Sequence, residues 1–348
     1  MHSTSKIVAS VMLVSCPWVG GCDDNSTEQA PVEMRALHKN SPGVNTAALN
    51  GFSLNGFSLN GDVINGFSLN GFSLNGFSLN GFSLNGTSFS ATKIVDGVPT
   101  VVTGTGLIGT SMTLVHGTDI FTLTFDNIHL DPYNPAGDVY LYDITVHDVI
   151  HNFSAPLCTL DGVAAPAIPL RNHWDPLTGD RIDDVTVITF ACRGGALAKC
   201  VDWGYRPWAT STKCDPVTEI CTEVSLTDYH QACTRMVRAD YCGDGTPHTV
   251  TGTLIDVYDR LSPTIQAQFS GGNPNWGIEA EWGPDGALCA GDSLRLQHLD
   301  ELEIPYTYPP CLDDLLEQPD CGTFPAARGG KLGNSYCGAF GTTPKDCE

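Results

Sequence analysis

Positive charge is scarce in this sequence. Its 17 lysine and arginine residues stand against 39 aspartate and glutamate residues, a formal net charge of −22. So acidic a chain repels nucleic acid and anionic lipid surfaces, and we expect no nucleic-acid partner. The best candidate for a calcium loop, residues 175–184, lacks the Asp-x-Asn/Asp-x-Asn/Asp-Gly spacing of an EF-hand. We therefore predict no metal site and no cofactor.

Long hydrophobic runs are also scarce. The longest, from Ile7 to Val19, is shorter than the roughly 20 apolar residues that span a bilayer, but it has the length of a signal-peptide core. It ends in Val-Gly-Gly before Cys22, which resembles the lipobox of bacterial lipoproteins. We expect residues 1–21 to be a cleaved lipoprotein signal peptide and Cys22 to be the lipidation site.

The polar residues that follow, 22–49, would then tether the protein to a membrane through its lipid. Two alternatives stay open. Leu-Val-Ser before Cys16 also fits a lipobox, and an ordinary secretory signal would release the protein from the cell. We expect a location in the cell envelope, lipid-anchored and extracytoplasmic in the periplasm or at the cell surface, with secretion as the alternative.

Cys-x-x-Cys pairs are absent although the chain has 14 cysteines, which argues against a zinc site. In an exported chain so many cysteines indicate disulfides. Cleavage before Cys22 removes Cys16 and uses Cys22 for lipid, which leaves an even number that can pair completely, whereas cleavage before Cys16 leaves an odd number. The predicted half-cystines are Cys158, Cys192, Cys200, Cys214, Cys221, Cys233, Cys242, Cys289, Cys311, Cys321, Cys337 and Cys347. The local pairs that we expect among them are Cys214–Cys221, Cys311–Cys321 and Cys337–Cys347.

A five-residue repeat fills residues 50–91. Its unit, Asn-Gly-Phe-Ser-Leu, combines an alternating apolar and polar triplet that suits a short strand with an Asn-Gly pair that favours a turn. Three residues are too few for a stable hairpin. We therefore expect a stalk that is either a coil of short strands, like a β-solenoid, or a flexible spacer.

Residues 92–307 have the composition of a globular domain. Alternating patterns predict strands at residues 119–125, 139–141 and 184–190, and Phe121, Leu123 and Phe125 should share one buried face. The sequence therefore predicts a mainly β fold, a β-rich α+β domain that is sandwich-like, stapled by disulfides and provided with one or two short helices.

The main helix is expected at residues 226–239, because Tyr229, Cys233, Met236 and Val237 recur at helical spacing. Ser225 with Asp228 would cap its start. A second short helix is expected at residues 194–201 and one helical turn at 312–317. The last segment, residues 308–348, is rich in cysteine, proline and glycine and is predicted to wrap the domain as a strap.

The most distinctive passage follows the main helix and contains Ala239-Asp240-Tyr241-Cys242. Other motifs accompany it in order: Phe-Ala-Cys at 190–192, Ala-Lys-Cys-Val at 198–201, Trp-Gly-Tyr-Arg-Pro-Trp at 203–208, Glu-Ala-Glu-Trp at 279–282 and Gly-Ala-Leu-Cys at 286–289. Together they resemble the ADYC domain family over roughly residues 105 to 300. The resemblance implies an exported bacterial protein, often with a lipoprotein-type signal, and implies no particular reaction.

From the residues alone, the passage has a structural interpretation in which Arg235 and Arg238 pair with Asp240 and Asp244 beside a tight glycine turn. A catalytic interpretation is the alternative: Asp240 or Asp244 acts as a base and His248 as a proton shuttle. Five aromatic residues could add a sugar-stacking platform: Trp203, Tyr205, Trp208, Trp276 and Trp282.

Complete catalytic motifs are missing. Gly-Asp-Ser-Leu at residues 291–294 matches a hydrolase signature, but that family places the motif near the start of an α/β domain and an Asp-x-x-His near its end, and neither condition holds here. The leading hypothesis is therefore a cell-envelope lipoprotein with a non-catalytic structural, adhesive or ligand-binding role toward an envelope glycan or protein. The alternative is an exported hydrolase that acts on glycan or peptide through Asp240, Asp244 and His248.

Overall fold

The computed structural model describes residues 37–39, 57–59, 62–64, 73–74, 77–95, 98–116, 119–134, 136–160, 163–175, 177–184, 188–215, 218–249, 253–270, 273–325 and 327–337. The predicted signal peptide, Cys16, Cys22, most of the tether and Cys347 lie outside these residues. All described elements belong to one compact unit, residues 35–348. The described residues are mainly β, as predicted.

Twenty-three strands are described: β1 (Leu37–Lys39), β2 (Phe57–Leu59), β3 (Asp62–Ile64), β4 (Ser73–Leu74), β5 (Phe77–Asn85), β6 (Ser88–Val95), β7 (Val98–Thr103), β8 (Ser111–His116), β9 (Asp119–Leu130), β10 (Tyr140–Asp148), β11 (Phe153–Pro156), β12 (Cys158–Leu160), β13 (Val163–Ala165), β14 (Ala167–Arg171), β15 (His173–Trp174), β16 (Arg181–Ile182), β17 (Ile188–Cys192), β18 (Thr210–Cys214), β19 (Cys221–Ser225), β20 (Leu254–Asp259), β21 (Trp276–Gly283), β22 (Gly286–Ala290) and β23 (Leu332–Cys337).

The described helices are a 3₁₀ turn (Gly104–Leu107), α1 (Ala196–Asp202), α2 (Thr227–Arg238), α3 (Arg295–Glu301) and α4 (Leu312–Leu316). The sequence predicted α1, α2 and α4 within a few residues but not α3. Within the described residues, every helix falls short of the length and hydropathy that a membrane-spanning helix requires.

A ten-stranded antiparallel sheet has the order β17-β14-β10-β9-β8-β4-β5-β6-β7, with β11 paired to β10. Phe121, Leu123 and Phe125 are buried on one face of β9, as the alternation predicted. Phe89 of β6 lies over β9, with its ring 6.1 Å from that of Phe125 and its backbone N–H donating to the Tyr142 hydroxyl at 2.9 Å.

The end of the repeat contributes strands to this sheet. β4 and β5 consist of repeat residues, and β6 spans the predicted boundary between stalk and domain at residue 92. Asn80-Gly81 lies inside β5 instead of forming a turn, within the register shift between Ser78 and Ser83. A glycine within a strand often marks such an irregularity. The turn comes one unit later, where Gly86 has a φ of +58°.

A second, five-stranded sheet has the order β1-β20-β23-β21-β22. One face packs against α2 in a core that includes Met236, Val257 and Trp282. On the other face, the N–H groups of Gly322 and Phe324 donate to Glu281 at 2.9 and 2.6 Å. The C-terminal segment therefore covers this sheet and also contributes β23 as its central strand.

Helix α2 begins at Thr227, with Leu226 in the N-cap position and no side-chain cap. The predicted capping pair is therefore wrong. Ser225 Oγ accepts the Thr227 N–H at 3.2 Å, and Asp228 lies 3.4 Å from Lys331. The acidic side chain in the first turn thus pairs with a residue distant in sequence.

Five disulfides join described residues: Cys158–Cys192, Cys200–Cys233, Cys214–Cys221, Cys242–Cys311 and Cys289–Cys321. The predicted local pair Cys214–Cys221 is confirmed. The predicted pair Cys311–Cys321 is wrong, because α4 places Cys311 beside Cys242, whereas Cys321 lies beside β22. Cys337 is also disulfide-bonded, and its predicted partner Cys347 lies outside the described residues.

Candidate functional site

The passage after α2 forms a tight turn that only glycine permits at two positions. The helix ends at Ala239, which adopts the left-handed conformation with a φ of +52°. Gly243 and Gly245 also have positive φ. A Cβ atom at either would lie 1.8 Å from a backbone oxygen, that of Asp285 or that of Leu177 respectively. The turn is thus pressed against two other loops, and it directs Asp240 and Tyr241 into the interior.

Asp240 is fully buried and held by cations. It accepts a hydrogen bond from Arg235 Nη1 at 2.6 Å, and Arg238 Nη1 lies 3.7 Å away. The Gly245 N–H approaches both carboxylate oxygens at 3.2 Å. Burial raises the pKa of Asp240, and the two guanidinium groups oppose that rise. The carboxylate therefore has its hydrogen-bonding capacity committed to the protein itself.

Arg235 also binds the acidic stretch at residues 175–184. Its guanidinium group donates to the Asp180 carboxylate and to the carbonyl oxygen of Thr178. Gln231 of the same helix donates to the Gly179 carbonyl oxygen at 2.9 Å. A guanidinium group thus provides the positive charge beside this acidic loop. Among the described residues, no group of three or more His, Cys, Asp or Glu side chains is arranged to hold a metal ion.

Tyr241 joins a second buried ion pair. Its hydroxyl donates to Glu279 Oε1 at 2.5 Å, and its ring stacks on Trp282 with 5.5 Å between centroids. Arg295 Nε lies 2.8 and 2.9 Å from the two oxygens of Glu279, and Asn334 donates to the same carboxylate. Both charged side chains have no exposed surface. The burial of Tyr241 beside this carboxylate raises its pKa.

Arg295 connects this ion pair to α2. Its Nη1 donates to the carbonyl oxygen of Val237 at 3.1 Å, and its Nη2 donates to that of Met236. The Met236 carbonyl also accepts the Ala239 N–H at 3.0 Å. Because carbonyl groups in the last turn of a helix lack a partner in the next turn, Arg295 supplies one for Val237.

His248 is buried, and its ring nitrogens face backbone oxygens. Nδ1 lies 3.1 Å from the carbonyl oxygen of Ala239, and Nε2 lies 3.0 Å from that of Thr307. The ring lies between Tyr241 and Tyr306, with centroids at 5.8 and 6.4 Å. His248 thus fastens the turn to the C-terminal segment and has no hydrogen bond to a carboxylate.

Asp244 points into solvent and accepts the Thr246 N–H at 2.8 Å. Of the three predicted catalytic residues, two are buried in separate structural contacts and one is exposed. The structure therefore does not assemble Asp240, Asp244 and His248 into an acid–base pair. Ser293 of the Gly-Asp-Ser-Leu motif is buried, and a Cβ added to Gly277 would lie 1.8 Å from its Oγ.

The five predicted aromatic residues do not share an exposed platform. Tyr205, Trp276 and Trp282 are buried, and Trp203 and Trp208 are half-buried. Trp208 donates its indole N–H to Asp138 at 2.7 Å. These side chains fill cores and stabilise loops.

Sequence reasoning missed Glu279, Arg295 and Asn334 as members of the site. The one available signal was Glu279 itself, an acidic residue in strand β21, three residues before Trp282. A buried carboxylate requires a cation, but nothing in the sequence identified Arg295 as that cation.

Comparison with known proteins identifies one family. The family model described as ADYC domain matches residues 104–295, more than half of the 348-residue chain. The matched range contains both buried ion pairs and ends at Arg295. No curated protein and no solved structure matches the chain.

Proposed function

The chain belongs to the ADYC domain family, and from that premise we propose that it is a lipid-anchored protein of the cell envelope with a non-catalytic structural, adhesive or ligand-binding role. The observation that carries the proposal is the passage from Arg235 to His248. Its buried Arg235, Asp240, Tyr241 and His248 side chains are bonded to the protein's own groups, and this arrangement suits a rigid scaffold better than an acid–base centre.

The disulfides support an extracytoplasmic location. Five are present between described cysteines, and reducing compartments keep thiols free. The anchor is supported by the signal-like segment that ends before Cys22 and by the even number of cysteines after it. The repeat residues that precede β4, uncharged apart from Asp62, would place the domain at a distance from the membrane.

The anchor is tested by mass spectrometry of the mature N-terminus from a bacterial host that acylates lipoproteins. We expect a diacylglyceryl-modified peptide that begins at Cys22 and a membrane-bound protein. The Cys22→Ser variant should lose the modification, whereas Cys16→Ser should keep it. An unmodified N-terminus at another position would refute the anchor.

The non-catalytic role is tested with peptidoglycan fragments, glycan arrays and envelope proteins, using wild type and Asp244→Asn. Because Asp244 is exposed, this substitution should leave the fold intact. We expect binding without turnover, equal in both proteins. Turnover by the wild type that is lost in Asp244→Asn would favour the hydrolase instead.

A further inference from the structure

The repeat pairs with itself in the hairpin β2–β3. Its two strands are antiparallel, and Asn60-Gly61 separates them in the sequence. β4 and β5 pair in the same way, with Asn75-Gly76 between them in the sequence. Asn-Gly is the pair of residues that two-residue hairpin loops prefer. One repeat unit thus serves as the strand partner of the next.

Both hairpins have the same register. In β2–β3 the first residue of one unit, Phe57, lies opposite the last residue of the other, Ile64. In β4–β5 the last residue of one unit, Leu74, lies opposite the first residue of the next, Phe77. The middle residues of the units lie opposite each other in both hairpins. Because this register recurs in two places, it belongs to the repeat unit, and the same unit in a second copy of the chain offers the same pairing.

The outer edges of β2–β3 are open to another strand. Among the strands that the structure describes, β2 and β3 pair only with each other, whereas β4 also pairs with β8 inside the ten-stranded sheet. A two-stranded hairpin alone is marginally stable in water. Its edges present unpaired N–H and C=O groups, which recruit further strands. A third strand would therefore stabilise β2–β3.

The middle residues of β2 and β3 present the pairing groups at these edges. In an antiparallel pair, successive residues alternate between bonding to the partner strand and facing the opposite side. Leu59 and Asp62 lie opposite each other beside the two-residue loop, the position at which the strands of such a hairpin hydrogen-bond. Ser58 and Val63 therefore direct their N–H and C=O groups outward.

The composition of the repeat leaves these edges unprotected. Natural proteins commonly shield edge strands with lysine or proline, but residues 50–91 contain neither. Asp62 is the only charged residue between Lys39 and Lys93. Two copies with a net charge of −22 each repel one another, so contact through this nearly uncharged segment meets the least repulsion.

We propose that β2–β3 pairs edge to edge with the same hairpin of a second copy of the chain, so that copies associate through their repeats. The inference deepens the proposed structural or adhesive role, on which it rests, by identifying a second copy as the partner. It does not require acylation of Cys22, and its test therefore succeeds or fails separately from that of the anchor.

The test is sedimentation velocity of the Cys22→Ser protein at increasing concentration, exported through a cleavable secretory signal so that neither an acyl chain nor a signal peptide contributes. We expect species heavier than the monomer. Adding Ser58→Pro and Val63→Pro removes the outward N–H groups, and edge strands tolerate proline at such positions, so association should weaken by about tenfold or more. The matched control, Ser58→Thr with Val63→Thr, keeps both N–H groups and should associate like the parent.

Three results would overturn the proposal: a Cys22→Ser protein that is monomeric at every concentration, a proline variant that associates as strongly as the parent, or an equal loss of association in the threonine control. None of them would alter the expected acylation of Cys22 or the binding of envelope ligands.

A lysine variant replaces the proline variant if the latter melts at a lower temperature than the parent. Ser58→Lys with Val63→Lys places like charges opposite each other where the edges of two copies pair. Association should weaken although the net negative charge of the chain falls. Unchanged association of the lysine variant would contradict pairing through β2–β3.

Discussion

Individual residues around the turn that follows α2 show how a carboxylate can be buried without becoming reactive. Asp240 and Glu279 have no exposed surface, and each is bonded to an arginine that is itself buried. Taking such charges out of water is costly, so the pairs contribute little net stability, but removing one partner leaves the other uncompensated. The two pairs therefore specify one arrangement of α2, β21 and α3 more than they stabilise it.

Arg235→Ala should lower the free energy of unfolding by about 3–5 kcal/mol, because Asp240 would remain buried without its closest cation. The same change also releases Asp180 and the Thr178 carbonyl from α2. Urea denaturation followed by circular dichroism measures the loss.

The matched control for Arg235→Ala is Arg206→Ala, which removes a partly exposed ion pair with Asp138. It should cost about 1 kcal/mol or less. Equal losses of unfolding free energy in the two variants would show that the burial of the Arg235–Asp240 pair does not make it more important for stability than an exposed pair.

At the scale of elements, α1 and α2 form a locked pair. Cys200–Cys233 joins them covalently, and His230 Nε2 donates to the Leu197 carbonyl oxygen at 3.0 Å. Burial lowers the pKa of His230 to about 4. Its Nδ1 has no hydrogen-bond partner, so a proton added there would have no acceptor. The helix pair is therefore built for a neutral imidazole.

His230 should make the fold sensitive to acid. In the unfolded chain its pKa is near 6.5, and in the fold it is about 4, so the unfolded state binds the proton first. Stability is unaffected above pH 6.5 and falls as the pH drops toward 4, by roughly 3 kcal/mol at most. Thermal unfolding of wild type and His230→Gln between pH 7.5 and 4.5 should show a flatter pH profile for the variant.

His147→Gln, at a half-buried position of β10, is the control and should keep the wild-type profile. A wild-type melting temperature that falls no faster than that of His230→Gln would contradict the role of His230. Buried carboxylates such as Asp256 and Asp259 have raised pKa values, which favour the folded state as the pH falls. The quantity to compare is therefore the difference in melting temperature between wild type and variant at each pH.

The elements that the sequence predicted are those whose signals are local. α2 was found from its apolar spacing, and β9 from the alternation of Phe121, Leu123 and Phe125. The capping pair and the Cys311–Cys321 disulfide were wrong because each depended on partners far away, Lys331 in one case and Cys242 in the other. In the site, the glycine turn and the pairing of Asp240 with Arg235 were predictable, whereas Asp180 and Arg295 were not, since each lies more than fifty residues from its α2 partner.

At the scale of the whole molecule, charge dominates the surface. The 39 acidic residues against 17 basic ones repel one another in the compact state, and salt screens that repulsion within about 10 Å at 0.1 M. Sodium chloride should therefore raise the melting temperature between about 0.01 and 0.3 M and have little further electrostatic effect beyond that range. Differential scanning calorimetry at pH 7 measures the shift.

Calcium distinguishes screening from site binding. In the acidic stretch at residues 175–184, Asp180 is bound by Arg235, and Asp183 lies 3.0 Å from Arg181. Calcium and sodium chloride at equal ionic strength should thus raise the melting temperature by similar amounts. Binding to the folded state stabilises in proportion to RT ln(1 + [L]/Kd). A rise of several degrees in the melting temperature at micromolar calcium would show that this acidic stretch binds calcium despite its guanidinium partners. Asp180→Asn should then abolish that rise.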